Sequence, residues 1–258
     1  MSYGAGRPAP LFTMISVIIP SCNEKYLQKT IEGFSGDIEV IVICNDGQRS
    51  AVNRAVSIAR GEYILKCDAH TLFSDEFDEK LIAACSDNTV VVPRMYTLDV
   101  DKWQRIKETV NDFLYMDWRM RFQSWPSYEK RIEAQGNIAE LMCCQGNCFL
   151  MKKSMYEDIG GLDEGHGQWG QLGIEISCKA WLSGGRMVVC KDAWFAHWFR
   201  PHNIPYNLTR LQIEKAKQYS RDLWLNNKWP LQKKSLLWLV EHFDPVPSWG
   251  PLERKAVA

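Results

Sequence analysis

Three short apolar runs, each released into polar residues and separated by helix-length segments, constrain the fold of this chain more than any other feature. MISVIIP (Met14 to Pro20) is a β-branched run closed by proline, IEVIVICND runs from Ile38 to Asp46, and EYILKCD ends at Asp68. Continuous apolar runs of this kind suit strands covered on both faces. Between them, Leu27, Ile31 and Phe34 recur at helical spacing, with Ser21 or Asn23 available as a cap. SAVNRAVSIARG is a second helical stretch, stopped by Gly61. Strand, helix, strand, helix, strand predicts an α/β fold with a parallel, Rossmann-like sheet flanked by helices.

Further along, the pattern predicts a helix from Glu76 to Cys85 and a strand from Thr89 to Met95. The polar, aromatic stretch from Trp103 to Ala134, with Trp118 and Trp125, has no clear period. ELMCCQGNCFLMKK reads as a strand, IEISCKAWLSGG as a helix stopped by Gly184 and Gly185, and RMVVCKDAWFAHWFR as a strand. From Tyr206 onward two amphipathic helices carry Trp224, Trp229 and Trp238. With no repeat or linker in view, we expect one domain over residues 1–205 and a helical extension over 206–258.

Lys and Arg total 31 and so do Asp and Glu, so no global field draws the chain to nucleic acid or anionic lipid. No apolar stretch approaches the roughly 20 residues of a membrane span. No basic segment leads into an apolar one at the start, so we expect no secretory leader and a cytoplasmic protein. The nine cysteines sit largely within apolar runs and are expected as reduced, packed thiols. Cys144 and Cys148 have no second Cys/His pair at zinc-finger spacing.

Ligands of open parallel sheets bind beyond the carboxyl ends of the strands. Those ends carry Ser21, Asn23 and Glu24, then Asn45 and Asp46, then Asp68 and His70. In Asp68-Ala69-His70 the outer two residues point to one side of extended backbone. A carboxylate oxygen and an imidazole nitrogen can therefore share a divalent cation, and a mixed oxygen and nitrogen set favours Mn²⁺ or a later transition metal over Mg²⁺. The bland readings stay open: His70 as a loop cap, Asp46 as an ordinary N-D-G turn residue, and His197 as a core histidine. No G-x-G-x-x-G follows the first strand and no G-x-x-x-x-G-K-[ST] occurs, so Rossmann dinucleotide and P-loop chemistry lose their main support.

SVIIPSCNE, VIVICNDG and NRAVSIARGEYILKCDAH together resemble the opening of family 2 glycosyltransferases of GT-A fold. QGNCFLMKKSMYEDIGGLDEGHGQWGQLGIEISCKAWLSGG and VVCKDAWFAHWFR are similar to the polypeptide N-acetylgalactosaminyltransferases, whose acidic motif is D-x-H. The resemblance implies a hexosyl- or N-acetylhexosaminyltransferase that moves a sugar from a nucleotide-sugar donor, a UDP-sugar first, to a hydroxyl-bearing acceptor. It implies a divalent cation such as Mn²⁺ held by Asp68, His70 and His197. It places Asp46 against the nucleotide base, with Pro20, Ser21 and Glu24 in the same pocket and Arg54 near the sugar-nucleotide. Asp163 and Trp169 border donor sugar and acceptor, and Arg200, His202 and Tyr206 match a loop that closes over the nucleotide.

One departure bears on mechanism. Relatives place Glu-Asn or Glu-Asp after the W-G motif, where this chain has Leu172 and Gly173, with the next acid at Glu175. Loss of that acid favours a retaining transfer, or moves the role of base to Glu175, Asp163 or Glu164. Two rivals follow. One is a glycosyltransferase acting on hydroxymethylated pyrimidines in DNA, using Arg210, Lys215, Lys217, Arg221, Lys228, Lys233 and Lys234 interleaved with Trp224 and Trp229. The other is a non-catalytic nucleotide-sugar-binding module.

Overall fold

The computed structural model describes residues 14–45, 47–109, 112–200 and 207–257. β1 (Ile15–Ser21), α1 (Leu27–Glu32), β2 (Ile38–Cys44), α2 (Gln48–Ile58) and β3 (Tyr63–Cys67) follow the expected alternation. β4 (Thr71–Phe73), α3 (Phe77–Ala84), β5 (Thr89–Asp99), β6 (Gln104–Thr109), β7 (Leu114–Met116), β8 (Phe122–Ser124) and β9 (Ile138–Glu140) come next. Then follow β10 (Cys148–Lys152), α4 (Lys153–Asp158), α5 (Leu172–Leu182), β11 (Arg186–His197), α6 (Arg210–Leu225), α7 (Leu236–His242) and α8 (Pro251–Lys255).

The central sheet has the order β2-β1-β3-β10-β5-β11-β4, with β6 on β5 and β9 on β11. β2, β1 and β3 are parallel, as are β5 and β11. β10 runs antiparallel to both β3 and β5, so the five long strands share one direction across it. Two apolar layers cover the sheet, and the alternation of β1 divides between them. Ile18 packs into the layer that holds α2, α4 and α5. Ile15, Val17 and Ile19 face the layer that holds α1 and α3. This period-2 division is what a strand buried on both faces requires.

Several stretches differ from expectation. ELMCCQGNCFLMKK forms a strand only from Cys148, because Gly146 takes φ +83° and turns the chain. The 103–134 stretch resolves into β6, the β7–β8 hairpin and two short 3₁₀ turns. The tail forms three helices where two were expected. Trp224 and Trp229 are buried in the same apolar layer as α5, so neither ring is presented for stacking on a nucleic acid base. No helix among the described residues is long and apolar enough to cross a membrane. The thiols of Cys67, Cys143, Cys144, Cys148, Cys178 and Cys190 are buried, and burial pushes Cys144 up to about 11.

The turn at Gly146 is locked against the start of α5. A Cβ on Gly173 would lie 2.2 Å from the Cys144 carbonyl oxygen, and one on Gly146 would lie 2.6 Å from the Gly173 nitrogen. The Cys144 N–H also donates to Ser177 Oγ on α5 at 3.2 Å. Gly173 is thus demanded by backbone approach, and Leu172 beside it is buried. Gly173→Ala is expected to cost about 3 kcal/mol, read as a lower urea midpoint. An unchanged midpoint would show that the 144–146 turn yields freely.

Candidate active site

Strand register assembles the site. β4 pairs antiparallel with β11 so that His197 lies opposite Thr71, next to His70 in the turn after β3. The Trp198 N–H donates to the His70 carbonyl at 3.1 Å and extends that pairing by one residue. His197 Nε2 consequently lies 3.2 Å from Asp68 Oδ2, although 129 positions separate the two in sequence. The two imidazole rings stand 4.8 Å apart between centroids. One ligand atom from each of Asp68, His70 and His197 falls within 4.8 Å of the others, and no second group of three such residues occurs among the described residues.

Each of these groups is braced. Asp68 Oδ1 accepts from Lys66 Nζ at 2.5 Å. Burial raises the Asp68 pKa, but the Lys66 ammonium and then His197 outweigh it and hold the carboxyl far below its usual range. Burial also lowers the pKa of His197 and favours the neutral ring that a metal ligand needs. Glu24 Oε2 faces His70 Nδ1 at 3.3 Å and accepts from Arg200 Nη2. Burial pushes Glu24 up, and the His70 contact and the Arg200 charge more than offset it, so Glu24 stays ionised. His197 Nδ1 is buried and has no hydrogen-bond partner among the described residues. A carboxylate and two imidazoles form a donor set suited to a borderline divalent cation such as Mn²⁺.

The cleft around these groups has a volume of about 400 Å³, within the usual size of a small-molecule site. Pro20, Ser21, Glu24, Asp68, His70, Trp169, His197 and Arg200 all line it. Asp46, His202 and Tyr206 lie outside the described residues, although Asn45, Gly47 and Asn207 beside them line the cleft. Arg54 is exposed on α2 and lies outside the described lining. Sequence reasoning passed over Cys22, Gln48, Gln168, Trp198 and Phe199, which also line it. A signal for Gln48 and Gln168 was available in their places beside Gly47 and Trp169.

Asp163 and Glu175 are not among the residues that line this cleft. Asp163 accepts from the Gly165 N–H at 2.9 Å and from the Tyr219 hydroxyl at 2.7 Å. Glu175 is wholly buried, 2.7 Å from Arg49 Nε and 3.1 Å from Lys179 Nζ, and its Oε1 accepts from the Asp163 N–H at 2.5 Å. Arg49 spends its other nitrogens on the carbonyls of Gly167 and Gly170, at 3.2 and 2.7 Å. These bonds make the cluster a strut that fixes the loop bearing Gln168 and Trp169, and the Gln48 N–H ties that loop to α2 through the Gln168 carbonyl at 2.8 Å. His166 packs edge-on against Tyr219 and lies 3.7 Å from Glu175. His242 pairs with Glu140 at 2.9 Å.

Residues 33–160 match the family described as glycosyl transferase family 2. Human polypeptide N-acetylgalactosaminyltransferase 6 is 26% identical over 239 residues, covering 85% of this chain and 38% of that protein. Polypeptide N-acetylgalactosaminyltransferase 3 of Taeniopygia guttata is 25% identical over 229 residues, covering 81% of this chain and 37% of that protein. The chain thus spans less than two fifths of the length of these relatives. Among solved structures, GalNAc-T7 with UDP, GalNAc and Mn²⁺ aligns at TM-score 0.72 and 16% identity, over 91% of this chain and 57% of that one. S. aureus TarS 1-349 in complex with UDP-GlcNAc aligns at 0.51 and 16%, over 76% of this chain and 61% of that one. These likenesses show the GT-A fold.

The strut carries its own prediction. Burial raises the Glu175 pKa, but Arg49 and Lys179 outweigh it and set it below the ordinary glutamate value. A carboxyl lowered in the folded state contributes stability that is complete above its unfolded pKa and is lost as pH falls through the folded one. Glu175→Gln is expected to lose on the order of 3 kcal/mol near neutral pH and to flatten the acid limb of the stability profile. An inactive variant with wild-type stability would instead return Glu175 to the role of base.

Proposed function

We propose that this chain, a family 2-like glycosyltransferase of GT-A fold, transfers a sugar from a UDP-linked donor to a hydroxyl-bearing acceptor, with a divalent cation and with retention of anomeric configuration. The observation that carries this reading is the meeting of Asp68, His70 and His197 at the carboxyl ends of β3 and β11 inside one cleft. The donor class is supported by the fold neighbours, one crystallised with UDP, GalNAc and Mn²⁺ and another with UDP-GlcNAc.

In this reading Asp68, His70 and His197 hold the cation. When bound, it offsets the charge that grows on the departing nucleoside diphosphate. Arg200, kept in place by Glu24, adds a planar cation suited to a phosphate oxygen. Trp169, 37% exposed at the rim, offers an apolar face to a sugar ring, and the Arg49–Glu175 strut sets its position. Asp46 beside the base, and His202 and Tyr206 over the nucleotide, complete the proposed donor site.

Retention is supported by the acid inventory. Among the described residues that line the cleft, the carboxylates are Glu24 and Asp68, and both are already paired with cations. Leu172 and Gly173 supply no base, because the first has a hydrocarbon side chain and the second has none.

A panel of UDP-sugars with Mn²⁺, read as UDP release, tests the reading. Asp68→Asn is expected to lower the rate at least 100-fold, the scale for loss of a group that stabilises developing charge. No UDP release from any donor in the panel would leave a binding module in place of an enzyme. NMR of the product is expected to show an α linkage from an α-linked donor, and a β linkage would overturn retention.

A further inference from the structure

Lys66 is a cation in the middle of β3, a strand otherwise built from Tyr63, Ile64, Leu65 and Cys67. Its side chain is wholly buried. A buried ammonium is tolerated only when it is paired and its N–H bonds are satisfied. Lys66 Nζ has three acceptors within reach: Asp68 Oδ1 at 2.5 Å, the Gly146 carbonyl at 2.9 Å and the Asn147 carbonyl at 3.4 Å. An ammonium has three protons to donate, so its donors are spent behind the cleft wall.

Two consequences follow. Asp68 Oδ1 is engaged from behind, which leaves Oδ2, the atom beside His197, to face the cleft. The charge count also closes. Among the described residues, Asp68 and Glu24 bring two negative charges, and Lys66 and Arg200 bring two positive ones. The four charges of these two pairs sum to zero.

We infer that Lys66 is a positioning residue that makes cation binding conditional on the donor. By offsetting the charge of Asp68 from behind, it weakens the pull of the Asp68, His70 and His197 group on a divalent cation. The negative diphosphate restores that attraction, so cation and nucleotide bind as a coupled pair. The inference rests on the reading that this cleft takes a nucleoside-diphosphate sugar with a divalent cation. By linkage, the factor by which UDP tightens Mn²⁺ equals the factor by which Mn²⁺ tightens UDP.

Mn²⁺ titration of the full chain, followed by electron paramagnetic resonance with and without UDP, tests this. The wild type is expected to bind Mn²⁺ at least 30-fold more tightly with UDP than without it. In Lys66→Met, Mn²⁺ alone is expected to bind at least tenfold more tightly than in the wild type, and the UDP effect to shrink by a similar factor. Should Lys66→Met lose its near-UV circular dichroism, Arg200→Gln removes the second cation from a half-buried position. That variant is expected to raise the affinity for Mn²⁺ alone several-fold. Unchanged affinity for Mn²⁺ alone in a folded Lys66→Met, or in Arg200→Gln if the former does not fold, would overturn the inference while UDP-dependent binding in the wild type keeps the donor reading. A wild type that binds Mn²⁺ in neither condition would overturn both.

Discussion

The pairing of β4 with β11 is the constraint on which the site depends. Three residue pairs, Thr71 to Phe73 against Phe195 to His197, bring an imidazole from late in the chain beside the Asp68 carboxylate. A slip of one residue would turn His197 to the opposite face. The register is protected by burial on either side of it. Phe195 is wholly buried and stacks on Phe73 at 6.1 Å between centroids, and Ala196 is buried as well. Packing in the core therefore fixes the position of a polar group at the rim.

A second set of long-range bonds fixes the loop that brings Gln168 and Trp169 to the cleft. Arg49 on α2 and Glu175 on α5 form a buried ion pair, and the spare guanidinium nitrogens hold the loop that bears Trp169. Burying these charges is tolerable because nearly every donor is answered: Lys179 reaches Glu175 and the Gly161 carbonyl. Tyr219 on α6 adds a bond to Asp163, so the C-terminal helices help hold the loop that borders the cleft. The cleft is thus bounded by one wall set by strand register and another set by buried charge.

Much of this was legible in the sequence. β1, β2 and β3 follow from apolar runs, and Ser21, Glu24, Asp68 and His70 follow from standing just past them. His197 entered through likeness to a family, since a histidine between aromatics reads as core on its own. The roles of Glu175 and Lys66 were not legible. An acid soon after a W-G motif resembles a base, and a lysine within a strand resembles a surface residue until its neighbours are known.

Alternation, helical spacing and stop signals act over a few neighbouring positions, so the elements and the polar residues at their ends can be read along the chain. Which charges face the cleft and which brace it from behind emerges only once the chain is packed. That choice is set by partners such as Arg49 and Glu175, 126 positions apart, and by the way Lys66 spends its protons on Asp68, Gly146 and Asn147. A side chain's charge is local, but its solvation and its counter-ion are properties of the packed whole.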